Sequence, residues 1–141
     1  MRYLGIDYGT QKVGLALSDE AGTMGFPKGV VPNSPALAGE IADLIAREGV
    51  DAVVIGESLD FQGNENPVAH RAKAFAAALA HKTDAIIVWE PEMLTTQEAR
   101  RGPGQADGKP DRRPRDYAPV DASAAALILT SYLTKQQNNR S

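Results

Sequence analysis

The chain of 141 residues contains no cysteine. Disulfides, zinc–thiolate centres and cysteine nucleophiles are therefore excluded. Histidine is nearly as scarce, with only His70 and His81, so histidine-based metal or triad chemistry is poorly supplied. No apolar run approaches the ~20 residues that a membrane-spanning helix needs, and no membrane association is expected. Asp7 comes too early for a signal peptide, and no small-residue cleavage site follows an apolar stretch. The expected location is cytoplasmic. A positive net charge is also missing: the formal total is −3. If the chain is an enzyme, its working groups are carboxylates.

What is present is one domain's worth of ordinary globular sequence, 43% hydrophobic and 23% charged. The charge is unevenly placed. Between Arg100 and Asp116 lie six cations, Arg100, Arg101, Lys109, Arg112, Arg113 and Arg115, and three acids, so this window is +3 and the remainder −6. A basic loop on an acidic body makes a polarised molecule. Residues 102–118 are rich in glycine, proline and charge, the composition of a mobile loop.

The hydrophobic pattern predicts short strands over 2–7, 12–18 and 24–31, joined by hairpin-sized links and hence antiparallel. Pro27 marks the third as an edge strand. Ser34 and Pro35 read as the N-cap and first position of a helix that Gly49 closes. Residues 52–56 and 85–89 are wholly apolar, the pattern of strands buried on both faces. Asn66-Pro67 opens a second helix with Val68, Ala72, Phe75, Ala76 and Leu79 on one face. Thr95-Thr96-Gln97-Glu98 matches a capping box and opens a short third helix. A last helix runs from Val120 to Gln137 with Ala124, Leu127, Ile128 and Ser131 inward. The order β-β-β-α-β-α-β-α-α implies an α/β fold: a mixed five-stranded sheet, three antiparallel strands followed by parallel ones, flanked by helices on both faces. That arrangement resembles the ribonuclease H-like fold.

Five carboxylates stand where such a sheet places its chemistry. Asp7 ends the apolar first strand, where a charge must be paired or metal-bound; alternatively it is a turn aspartate bonded to the backbone of Gly9 or Thr10. Glu57 follows the 52–56 strand, and carboxyl ends of parallel strands are where α/β proteins place their sites. Glu90 and Glu92 flank Pro91 after the 85–89 strand; a solvated loop glutamate is the plain alternative for each. Asp121, in the first turn of the last helix, is by itself explained by capping. Together they carry more weight. The ends of the first, fourth and fifth strands would lie side by side under the last helix, bringing Asp7, Glu92 and Asp121 together. Three close carboxylates repel unless cations are present, and oxygen-only donors suit Mg²⁺ or Mn²⁺. Two ions about 4 Å apart would serve phosphodiester hydrolysis. The six cations of the basic loop would contact phosphates without reading sequence; a solvated linker is the alternative.

Gly5-Ile6-Asp7-Tyr8-Gly9-Thr10 with Val13-Gly14-Leu15-Ala16 resembles the opening motif of the YqgF/RuvX family. Glu92-Met93-Leu94-Thr95-Thr96 with Glu98-Ala99-Arg100 is similar to its "DERLTT…EAR" segment, and Val120-Asp121-Ala122-Ser123-Ala124-Ala125 to its "VDSAAA" segment. The similarity spans nearly the whole chain. It implies a ribonuclease H-like fold, Asp7, Glu92 and Asp121 as metal ligands, and a bacterial nuclease that resolves Holliday junctions or matures the 5′ end of pre-16S rRNA. Thr95 is implied to steady the segment bearing Glu92. The chain departs from the pattern at Gly56-Glu57-Ser58-Leu59, where the family usually has "GLPL", and at Pro91, where it has an aspartate. Glu57, Glu90 or water therefore completes the metal set. Two other readings stand beside the nuclease: a non-catalytic nucleic-acid or ribosome-associated module, and an actin- or sugar-kinase-like phosphate-binding domain, which normally needs two such units. Cutting two opposed strands would suit a homodimer.

Overall fold

A computed structural model describes residues 1–57, 67–91 and 122–139. Five strands form one mixed sheet: β1 (Tyr3–Tyr8), β2 (Lys12–Ser18), β3 (Gly25–Pro32), β4 (Ala52–Glu57) and β5 (Ile86–Pro91), in the order β3-β2-β1-β4-β5. The first three are antiparallel; β4 joins β1 and β5 joins β4 in parallel. Helices α1 (Leu37–Glu48), α2 (Pro67–Ala80) and α3 (Ala122–Asn139) complete the described chain. The expected mixed sheet holds, as does the element order over the described residues. The short helix expected at Thr95 and the basic loop of residues 102–118 lie outside the described residues.

Period-2 alternation sorts the core onto two faces. Leu4, Ile6, Val53 and Ile55 turn to one side, under Leu37, Ile41, Leu44 and Ile45 of α1 and Phe75 and Leu79 of α2. Tyr3, Ala52 and Val54 turn to the other, under Ala125, Leu129 and Leu133 of α3. Gly5 shares that second face, because a Cβ built on it would meet Leu129.

Several boundaries depart from the sequence reading. Helix α1 begins two residues after Pro35. Ala36 occupies its capping position without a side-chain bond, while Ser34 Oγ accepts from the Ala36 amide at 3.2 Å. Serine here closes the preceding turn instead of capping the helix. Gly49 ends α1 as expected, with φ of 67° in the left-handed region. In α2, Ala69 and not Val68 is buried. Strand β5 is not buried on both faces: it is an edge strand, Ile86 is 57% exposed, and Pro91 belongs to it. The inward face of α3 is rotated from the expected one. Ala125, Ala126, Ile128, Leu129 and Leu133 are buried, and Leu127 is 66% exposed.

Strand β3 is the other edge, as Pro27 implied. Its register slips opposite Leu15 and Ala16, which face Gly29 and Pro27, leaving Lys28 as the extra residue of a bulge. The β2–β3 turn is tied by Asp19, whose carboxylate accepts from the Thr23 hydroxyl and from the amides of Thr23 at 2.7 Å and Met24 at 3.3 Å. These bonds, the Thr23 hydroxyl foremost, hold the Asp19 carboxyl at about 2 instead of 3.8. A depressed carboxylate pKa stabilises the fold above the unfolded value and loses that contribution as pH falls towards the folded one. Acid denaturation followed by circular dichroism should therefore show a loss between 3.8 and 2 that Asp19→Asn flattens. An unchanged acid limb in the variant would remove Asp19 from this role.

Candidate active site

Asp7 is the penultimate residue of β1. Two steps on from Gly5, it takes the face covered by α3. Its partner on β2 is Gly14. On β4, the parallel register pairs Gly5 with Val54 and Ile6 with Ile55, so its next step brings Asp7 level with Gly56. Gly56 in turn pairs with Glu90 of β5. One row on the α3 face thus reads Gly14, Asp7, Gly56, Glu90. With glycine on both flanks, no sheet side chain crowds the half-buried Asp7 laterally.

Helix α3 covers this face obliquely and runs against β1. The Tyr3 and Tyr132 rings are 5.8 Å apart near the start of the strand. Gly5, in mid-strand, faces Ala125 and Leu129. Two strand residues advance ~6.6 Å and one helical turn ~5.4 Å, so Asp7 falls at the first turn of α3. That end of the helix is where backbone N–H groups and the dipole favour negative charge.

Glu90 is the surprise. Read from the sequence as a candidate further metal ligand or else a solvated loop glutamate, it is 3% exposed, on the row just described. Its Oε2 accepts from Lys135 Nζ at 2.7 Å and from Ser131 Oγ at 2.8 Å, both on α3. Burial chiefly, with the charges of Tyr3 and Glu90 assisting, pushes the nearby Tyr132 phenol above its usual value. Sequence reading missed Lys135 and Ser131 as partners. Their four-residue spacing on one helix face was the available signal.

Glu57 sits at the end of β4, one step beyond Gly56. Alternation gives it the face opposite Asp7. Glu92, Asp121 and Thr95 lie outside the described residues, as do the cations Arg100, Arg101, Lys109, Arg112, Arg113 and Arg115. Among the described residues no three acidic or histidine side chains are grouped as a metal site, and no helix is long and apolar enough to cross a membrane.

A family model described as "RuvX: Holliday junction resolvase" matches residues 1–135. The chain belongs to the RuvX family. Among its relatives is a protein of Pelotomaculum thermopropionicum, 36% identical over 143 residues, covering 99% of this chain and 91% of the relative. Another, from Halalkalibacterium halodurans, is 35% identical and covers 97% and 99%. Both are named "Putative pre-16S rRNA nuclease". Among solved structures, Thermus thermophilus RuvC in complex with a Holliday junction substrate matches with a TM-score of 0.57 at 18% identity, covering 97% of this RuvX chain and 96% of RuvC. The fowlpox virus Holliday junction resolvase matches with a TM-score of 0.52 at 14% identity, covering 96% and 99%. These likenesses place the RuvX chain in the ribonuclease H-like fold.

Proposed function

We propose that this RuvX-family chain is a divalent-metal-dependent endonuclease that hydrolyses phosphodiester bonds in structured nucleic acid. The observation that carries the reading is Asp7: a carboxylate at the carboxyl end of the central parallel strand, between two glycines, under the start of α3.

Glu92 follows the buried Glu90 by two residues, and Asp121 immediately precedes α3. With Asp7 they would supply an oxygen-only donor set. Such donors fit Mg²⁺ or Mn²⁺ and offer little to softer ions. The ions, two in number on this reading, would supply an activated water and charge stabilisation at the leaving oxygen. The protein's own part would be to bring Asp7 of β1 together with Glu92, which follows β5 in the chain, and Asp121, which precedes α3. Arg100, Arg101, Lys109, Arg112, Arg113 and Arg115 would grip the phosphate backbone, positioning the strand without reading its sequence. Glu57 is the weakest of the candidate ligands, because alternation turns it from Asp7. The enzyme is read as cytoplasmic.

The substrate is branched DNA or a pre-16S rRNA, the two classes named for the family and its relatives. The test is a parallel cleavage assay on a four-way DNA junction and a pre-16S rRNA fragment, each with Mg²⁺ and Mn²⁺. Cleavage of one and not the other names the substrate. Paired cuts in opposed strands would go with a homodimer in sedimentation. Wild-type protein that cuts neither substrate with either ion overturns the nuclease reading.

A further inference from the structure

We infer that Glu90 is a positioning residue: clasped by Lys135 and Ser131, it fixes α3 against β5 and so holds the first turn of that helix over Asp7, the carboxylate proposed to bind metal. This rests on the function proposed above.

A carboxylate 3% exposed is costly to hold unless paired and hydrogen-bonded. Glu90 is both. Lys135 is 56% exposed along its side chain and reaches inward to make the 2.7 Å ion pair; its stem lies on the protein while much of it stays wet. Ser131, one turn earlier on the same face, makes the second bond to the same oxygen. Glu90 is the sole acidic residue among the described residues that is buried. An apolar residue would hold a sheet–helix contact more cheaply. An ionic clasp adds direction: it fixes how α3 is slid and rotated over the sheet.

Slide and rotation matter for what lies nearby. Glu92 follows Glu90 by two residues in the chain. Asp121 directly precedes the helix whose third and fourth turns hold the clasp. At the far side, Gln137 Nε2 donates to the Thr23 carbonyl at 3.2 Å, and Leu129 rests on Gly5 and Gly25. Those two contacts hold α3 over β1, β2 and β3. Among the described residues, the Glu90 clasp ties α3 to β5, the strand that Glu92 follows in the chain.

The same geometry argues against Glu90 as a ligand in this arrangement. Oε2 already takes two donors, one a cation, and an ion bound there would have to displace Lys135.

The test uses Glu90→Gln, Lys135→Met and the double variant, with Lys135→Arg as the conservative control and melting temperatures to confirm folding. Three quantities are read: kcat, KM for the nucleic acid that the wild type cuts, and Mn²⁺ affinity by electron paramagnetic resonance. Supporting ligands typically contribute 10–100-fold. Both single variants should lose about that much in kcat and in Mn²⁺ affinity, with KM nearly unchanged. The double variant should be no worse than either single, and Lys135→Arg should recover most of the loss. If both variants melt lower but keep wild-type kcat and Mn²⁺ affinity, the clasp is structural only and the inference is overturned. If Glu90→Gln abolishes Mn²⁺ binding while Lys135→Met preserves it, Glu90 is a ligand, which also overturns it. Wild-type protein that neither cuts nor binds Mn²⁺ overturns the proposed function instead.

Discussion

Asp7→Asn should leave a folded protein that binds nucleic acid and does not cut it. Asparagine keeps the shape of the side chain and removes its charge. The strand ladder around it is backbone, and the flanking positions are Gly14 and Gly56. On the proposed function, a ligand shared by the reacting ions would stabilise charge that develops in the transition state, so its loss should fall on kcat. A loss of about 10³-fold or more is expected, which corresponds to roughly 4 kcal/mol. If the proposed site gathers the other carboxylates around Asp7, the melting temperature should be unchanged or higher, since such a cluster opposes folding when no cation is bound. Mn²⁺ affinity should fall with kcat. Cleavage within a factor of ~10 of wild type would remove Asp7 from the centre of the site, since supporting residues typically contribute that much.

Gly5→Ala should do damage of another kind. A Cβ at this position would lie 2.8 Å from Leu129 Cβ and 2.9 Å from the Ala125 carbonyl oxygen. Neither atom belongs to a flexible end, so α3 must lift or β1 must sink. Overpacking of this sort costs about 1–3 kcal/mol, a fall of several degrees in melting temperature for a domain of this size. Trimming the neighbour cannot help: Leu129→Ala keeps the offending Cβ and adds the ~2–5 kcal/mol typical of a core cavity. Gly25→Ala is the control. Its Cβ would meet Leu129 Cδ2 and Cγ at 3.0 Å and Cβ at 3.1 Å, mostly side-chain atoms that can give. It should cost clearly less. Because Gly5→Ala displaces the helix that follows Asp121, cleavage should fall further than stability alone explains. Equal melting temperatures for the Gly5→Ala and Gly25→Ala proteins would refute this account.

The residues that read true from sequence were those whose chemistry is local. Gly49 ends α1 because its backbone must turn left-handed. Pro27 marks an edge because it lacks an N–H. The short apolar run Tyr3-Leu4-Gly5-Ile6 placed Asp7 at a strand end. The phase of α3 could not be read the same way. Ala-Leu-Ile-Leu-Thr-Ser-Tyr-Leu is apolar on most sides, so periodicity gives no preferred face. What chooses it is the space over Gly5 and Gly25, on strands more than 100 residues away in the chain. β5 misled for a related reason. Its apolar run is that of an inner strand, while its place at the edge is set by sheet order. Glu90 was opaque because its partners are 41 and 45 residues distant; a buried carboxylate announces itself only once both partners are in place.

The bulged edge of β3 bears on how the protein behaves in a crowded solution. An exposed sheet edge invites a strand from another molecule. Here Pro27 and Pro32 offer no N–H, and the charged Lys28 stands at the irregularity between them. An incoming strand would find a ladder with missing rungs and a cation to desolvate. That side of the sheet is built to refuse extension, so a purified sample should stay dispersed through β3 even where its surface shows Phe26 and Val30 to water.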